Sequence, residues 1–293
     1  MSEKTLLKLN RLFRRPEHPF NTEAAGGLSY AEWEFQRAPK TLALFEPEFS
    51  PGEILGPGHD RVLDLGCGAG GKSVYYAMLG AQVTGVDLVK DYRSKAEALA
   101  AEKSVRGLAG PGQEAGPGSF TFVCADAANT GLPDASFDTI IASDAMEHFP
   151  DPEGVLRECA RLLRPGGRLF ISFPPYGHPY GGHVSDLIGA PWVQLLFSDN
   201  DIAAAYSVLA ADLPDGQKRV DLRFSRDPDG RWQNTYINRM TLRRFAKIRA
   251  TAPAFRCLLY REIPLRRWLL PLARLPLSKE YFVRMAVCVL ERC

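Results

Sequence analysis

Residues 61–73 read RVLDLGCGAGGKS, a short apolar run that meets four glycines within six positions and then a helix-forming stretch. Glycine reaches left-handed backbone conformations at no steric cost, so glycines this dense mark a turn whose backbone comes close to a ligand. With the runs on either side, the stretch specifies a strand, a loop and a helix. That unit belongs to an open α/β sheet, which binds its ligands at the carboxyl ends of the strands.

The same alternation continues downstream. QVTGVDL (82–88), FTFVCAD (120–126), FDTIIASD (137–144) and RLFISF (168–173) read as strands. SVYYAMLG (73–80), YRSKAEALAAEK (92–103) and PEGVLRECARLLR (152–164) read as helices, and RGLAGPGQEAGPGS (106–119) as a surface loop. The fold expected is α/β, a Rossmann-like and mostly parallel sheet with helices on both faces. Four consecutive parts follow: a helical extension over 1–60, the sheet core over 61–173, an inserted cap over 174–238, and a helix with two sheet-closing strands over 239–293. Within the extension, SYAEWEFQRAPKTLALFE is expected to be helical and broken by Pro39 and Pro47.

The glycine stretch fits two patterns. Gly66 to Ser73 satisfies GxxxxGK[ST], a triphosphate loop. Begun at Asp64, the same letters satisfy an acidic-x-Gly-x-Gly-x-Gly loop. A carboxylate at the strand end repels a triphosphate but accepts hydrogen bonds from an ammonium group. Asp87 ends the next strand, where an acid takes the vicinal hydroxyls of a ribose. Asp126 ends the third, where it can accept from an exocyclic amine. Three acids on three strand ends describe an extended, cationic adenosyl ligand and make the Lys72–Ser73 match an accident of glycine richness.

VLDLGCGAGG, VTGVD, CADA, DAMEH and RPGGRLFISFP, in that order, resemble the class I S-adenosylmethionine-dependent methyltransferases of the small-molecule type, which includes ubiquinone-pathway enzymes. The resemblance spans about residues 60–174. It implies a seven-stranded sheet whose last strand is antiparallel. It also implies S-adenosyl-L-methionine as cofactor, with Asp64, Gly66, Cys67, Gly68 and Gly70 at its amino-acid part. Asp87 and Leu88 would lie at the ribose, Asp126 and Ala127 at the adenine, and Ser143 beside them. Some relatives bind a divalent ion at a similar ExxEH segment. Here Asp144, Glu147 and His148 stand at i, i+3 and i+4, one face if the segment is a helical turn, and the shorter Asp144 weakens that match.

Methyl transfer to a hydroxyl needs a base near neutral pH, and histidine is the natural one. Of five histidines, His148, His178 and His183 follow predicted strands, with His183 and His178 in a glycine-rich loop near Asp186, which is expected to orient one of them. Tyr176, Tyr180, Trp192 and Phe197 are expected walls of an acceptor pocket, two or more of them being ordinary core.

Net charge is +2, with an excess of Lys and Arg beyond Arg239. The proline-punctuated PLRRWLLPLARLPL (264–277) is expected to pack or to form a lid; peripheral membrane contact and homodimer formation are the other readings. Six scattered cysteines without a CxxC pair fit reduced thiols and a cytoplasmic enzyme, and the first fifteen residues do not read as a secretory leader. The partner expected is a small-molecule acceptor rather than a nucleic acid. The rival functions are an RNA methyltransferase using the basic C-terminal region, a P-loop NTPase and a non-catalytic cofactor-binding protein.

Overall fold

The computed structural model describes residues 2–56, 58–107 and 118–293. Most of the glycine- and proline-rich stretch expected to be a surface loop lies outside the described residues. The chain divides into two compact units, each assembled from three segments. A helical unit comprises Met1–Leu28, Pro174–Phe245 and Ile263–Met285, and a sheet unit comprises Ser29–Phe173, Ala246–Glu262 and Ala286–Cys293. The units interleave along the chain, whereas the sequence suggested four consecutive parts.

Ten strands and thirteen α-helices are described. β1 (Arg61–Leu65), β2 (Gln82–Asp87), β3 (Arg106–Gly107), β4 (Ser119–Cys124), β5 (Phe137–Ser143), β6 (Leu163–Phe173), β9 (Phe255–Pro264) and β10 (Val283–Arg292) form one sheet in the order β3-β4-β2-β1-β5-β6-β10-β9. The pairs from β3 to β6 are parallel. β10 runs antiparallel to β6, pairing Cys288 with Ile171. These are the seven strands expected, plus the two-residue edge strand β3. β1 and β5 are almost wholly buried, as strands covered on both faces are, which is why they read as continuous apolar runs. Arg61 ties their amino-terminal ends together with a fork onto Asp138, Nη2 to Oδ1 at 2.7 Å and Nε to Oδ2 at 3.1 Å. β6 begins five residues earlier than expected, because the Arg-Pro-Gly-Gly turn is absorbed into it.

The helices of the sheet unit are α3 (Tyr30–Leu42), α4 (Pro51–Leu55), α5 (Gly71–Met78), α6 (Tyr92–Glu102) and α7 (Pro152–Leu162). Ser29 starts α3 by accepting the Glu32 amide. Ala31, Glu34, Ala38 and Thr41 form its buried face, and the helix packs along α5. The expected break at Pro39 does not occur. Proline removes one backbone donor in the last turn, and the buried face holds the helix through it.

The helical unit contains α1 (Glu3–Asn10), α2 (Pro19–Ala24), α8 (Val193–Leu196), α9 (Asp199–Ala210), α10 (Gly216–Arg223) and a hairpin of β7 (Phe224–Arg226) and β8 (Trp232–Asn234). Leu6, Leu187, Ile188, Phe197, Tyr206 and Phe224 are part of its core. Asn10 clamps the 184–190 loop, donating to the Leu187 carbonyl at 3.1 Å and accepting the Gly189 amide at 2.7 Å. α11 (Leu242–Ala250) follows. The 264–277 segment forms a 3-10 turn and α12 (Leu270–Arg274), with α13 (Lys279–Phe282) just beyond; none of these exceeds five residues, as its prolines require. In this segment, expected to pack or to form a lid, Ala273 is buried while Trp268 and Leu277 are 77% and 93% exposed. Among the described residues, no helix is long and apolar enough to cross a membrane.

Candidate functional site

β4, β2, β1 and β5 are neighbours and parallel, so their carboxyl ends form one continuous rim within the sheet unit. The glycine loop leaves β1 at the centre of that rim. Gly66, Gly68 and Gly70 all take positive φ, 74°, 56° and 78°. The Gly66 and Cys67 amides both donate to the Val86 carbonyl, at 2.8 and 3.0 Å, which ties the loop to β2. A Cβ on Gly66 would stand 2.9 Å from that of Ala145, and one on Gly70 would stand 2.5 Å from that of Ala96. Only glycine suits these positions. Cys67 is buried, and burial raises its thiol well above the ordinary range, so it is a packing residue and not a nucleophile.

Asp87 ends β2 and is held from two sides. Its Oδ2 accepts the Gly68 amide and its Oδ1 the Val89 amide, each at 2.9 Å. Burial raises its pKa, and the Val89, Gly68 and Leu88 amides hold it back. Leu88 is exposed beside it. Asp126 lies beyond β4 in an isolated bridge to Asn129. It is exposed and accepts the Ala128 amide at 2.9 Å, next to the buried Ala127. Ser143 ends β5, where its hydroxyl pairs with that of Ser172 at 3.0 Å.

Asp64 behaves differently from its neighbours. It is buried, and its Oδ2 accepts the Ser73 hydroxyl at 2.6 Å. Burial raises its pKa, opposed by Lys72 and by the Ser73 bond. Lys72 is buried as well. Its Nζ donates to the Ser143 carbonyl at 3.0 Å and lies 4.0 Å from Asp144. Burial works against its charge, but Asp144, Glu34, Asp64 and Glu147 together outweigh that and raise its pKa. The Lys72–Ser73 pair is therefore not incidental, because it braces the ends of β1 and β5. It is also unavailable to a triphosphate, since a lysine engaged with four acids and a carbonyl does not reach out to phosphate.

The DAMEH segment is a turn and not the helical turn expected. Asp144 takes φ 53°, its amide donates to the Ser172 carbonyl, and His148 closes back on Ala145. A left-handed residue at the start breaks the i, i+3, i+4 relation on which a shared face depends. Asp144 is half exposed, and Glu147 is buried with its pKa raised well above the carboxylate range, by burial first and by Asp144 second. His148 Nε2 stands 3.9 Å from Glu147 Oε1. Lys72 already lies among these acids and offsets part of their charge.

His178 and His183 belong to the helical unit. His178 Nδ1 accepts the Tyr180 amide at 3.1 Å, and burial, helped by Arg284, lowers its pKa to about 4, leaving a weak base. His183 takes φ 52°, and its carbonyl accepts Arg223 Nε at 2.9 Å. Asp186 is engaged elsewhere. It is fully buried and meets the Tyr206 hydroxyl at 2.6 Å, Arg219 at 3.3 Å and Arg223 at 3.2 Å. Of the aromatics, Phe197 is core, Trp192 donates to the Gly177 carbonyl, and the Tyr176 hydroxyl donates to the Gln194 carbonyl.

Sequence reasoning missed Glu34. It lies on the buried face of α3, against the glycine loop. The available signal was an acid spaced 3 and 4 from Ala31 and Ala38.

Residues 63–171 match a protein-family model described as a methyltransferase domain. A ubiquinone biosynthesis O-methyltransferase of Xanthomonas oryzae pv. oryzae is 41% identical over 112 residues, 38% of this chain and 42% of that one. A protein of the same name from Xanthomonas campestris pv. campestris is 32% identical over 158 residues, 53% and 61% of the two chains. The chain thus spans about two-fifths to three-fifths of the length of these relatives. The [4+2]-cyclase SpnF superposes with a TM-score of 0.50 at 16% identity, over 94% of this chain and 92% of that one, which is a likeness of fold alone.

Proposed function

We propose that this chain, whose residues 63–171 are a class I methyltransferase domain, binds S-adenosylmethionine along the strand-end rim and methylates a small organic acceptor. The arrangement of three neighbouring features carries the reading. The glycine loop is locked open-backed by its positive φ values, Asp87 is clamped beside it, and Lys72 is withdrawn onto the Ser143 carbonyl.

The residues present suit such a ligand. The glycines let the loop pack directly against Ala145, Ala96 and Glu34, and Asp87 keeps lone pairs for a ribose while its two amide bonds fix its direction. Asp126 and Ala127 stand where an adenine edge would be read. When bound, S-adenosylmethionine supplies an electrophilic methyl group on a cationic sulfur. The protein's part is to hold that donor and the acceptor on one axis, for which orientation is the main contribution. Asp64 acts through Ser73 and Lys72 to fix the loop rather than by touching the ligand.

The relatives are named for O-methylation in ubiquinone biosynthesis, so hydroxyl acceptors come first, ahead of nitrogen and carbon. For a hydroxyl, His183 is assigned the proton ahead of His178, whose imidazole is already an acceptor and a weak base. Acceptor choice is assigned to residues 174–238, outside the family match. Six free cysteines suit a reducing, cytoplasmic setting.

Two measurements test this. S-adenosylhomocysteine at a hundredfold excess over its Kd should stabilise the protein by about 2.7 kcal/mol, with no shift from ATP and Mg²⁺. A screen of hydroxylated aromatic and other small acceptors with methyl-labelled donor, read by mass spectrometry, should give a labelled product. Stabilisation by ATP and not by the adenosyl ligand would overturn the reading. Binding without transfer would assign the fold to another reaction, as its occurrence in a [4+2]-cyclase allows.

A further inference from the structure

We propose that Glu34, carried by α3, is the carboxylate that receives the α-ammonium group of the donor; this rests on the donor reading above. On α3 the buried face runs Ala31, Glu34, Ala38, Thr41, an acid set among small residues. Burying an ionisable group there is costly unless something else uses it. Its carboxylate lies against the apex of the glycine loop. A Cβ built on Gly68 would stand 3.0 Å from Glu34 Oε1, 3.4 Å from Oε2 and 3.2 Å from the Tyr30 hydroxyl. α3 lies in close contact with the start of α5, since a Cβ on Gly71 would meet the Ala31 carbonyl at 2.0 Å and the Glu34 Cβ at 2.7 Å.

Glu34 Oε2 is buried and has no hydrogen-bond partner. The groups facing it are Lys72, Asp64, Asp87, the buried Cys67 thiol and Tyr76 hydroxyl, the Tyr30 hydroxyl at the loop apex and the Gly71 amide. Burial, resisted by Lys72, pushes its carboxyl up to about 8. Its carboxyl is thus biased toward the protonated form and can ionise when a cation arrives. Of the two cationic centres on the donor, the sulfonium carries no hydrogen and cannot satisfy a bare oxygen. An ammonium brings three donors. The unpartnered oxygen therefore selects the amino-acid end of the ligand, and binding draws the proton off Glu34.

Glu34→Gln is the variant of choice because an amide copies the shape of the protonated acid. Calorimetry would compare S-adenosylhomocysteine with an analogue lacking the α-amino group. Loss of a charge-assisted bond should weaken the first ligand about ten- to a hundredfold and leave the second unchanged. Equal weakening of both ligands, or of neither, would overturn the assignment. If wild-type protein bound neither ligand, the donor reading itself would fail. A second measurement needs no variant. Wild-type protein titrated near pH 7 in buffers of different ionisation enthalpy should release more protons with S-adenosylhomocysteine than with the des-amino analogue. Identical proton release for the two would equally overturn it.

Discussion

Replacing Asp186 with alanine would strip a carboxylate from between two arginines inside the helical unit. Asp186, Arg219 and Arg223 are 0%, 2% and 1% exposed. Arg219 would keep Asp215 at 2.9 Å, the Asn21 side chain at 2.7 Å and the Phe20 carbonyl at 2.8 Å. Arg223 would keep the carbonyls of His183 and Arg219 but lose its carboxylate. Leaving a buried charge uncompensated costs about 3–5 kcal/mol, and the orphaned Tyr206 hydroxyl adds about 1 kcal/mol. A unit of about 120 residues unfolds with an entropy near 0.25 kcal/mol per degree, so Tm should fall by about 16–24 °C. Thermal melts at pH 7 followed by circular dichroism measure this. Asp186→Asn should lose less, because its amide oxygen still accepts the Tyr206 hydroxyl. Asp186→Leu combined with Arg223→Met should recover part of the loss, since removing both charges leaves no unpaired ion. A fall of less than 4 °C for the alanine variant would refute the reasoning. Donor affinity should be unchanged, because no residue of this cluster belongs to the sheet unit.

Asp87→Ala should weaken S-adenosylhomocysteine binding about tenfold or more, losing an acceptor and the clamp on the Gly68 amide, whereas His183→Ala should spare binding and lower kcat; equal affinity in wild type and Asp87→Ala would contradict the site. His18 caps α2 as a neutral acceptor of the Phe20 amide, and burial lowers its pKa from 6.5 to about 4. The unfolded chain takes up that proton first, so stability is full above pH 6.5 and declines as pH falls toward 4. His18→Asn, which keeps a capping acceptor, should flatten the Tm profile over that window, and an unaltered slope would refute the account. Exhaustive chelation should leave turnover intact with no gain from added Mg²⁺ or Mn²⁺, given Lys72 among the acids of the DAMEH turn.

The strands bordering the rim were legible because parallel strands buried on both faces leave continuous apolar runs, and Asp87 was legible because it ends one of them. Asp64 ends another, but nothing in a linear pattern tells whether an acid faces ligand or turns down onto a serine nine residues on. The DAMEH turn was misread because the left-handed φ of Asp144 is fixed by its bond to Ser172, which is distant in sequence. Glu34 was hidden by a helix face made of small residues, which hydrophobic periodicity scores as weak. The first 28 residues read as part of a leading extension, yet their partners, such as Leu187 and Gly189 for Asn10, lie far along the chain.

That separation sets a timetable for synthesis. Glu3 bonds its backbone to Asp201, 198 residues later, and α1 packs on α9. At 5–20 residues per second the opening helix waits roughly ten to forty seconds on the ribosome for its partner. Throughout that interval Leu6, fully buried in the finished protein, faces water or a chaperone.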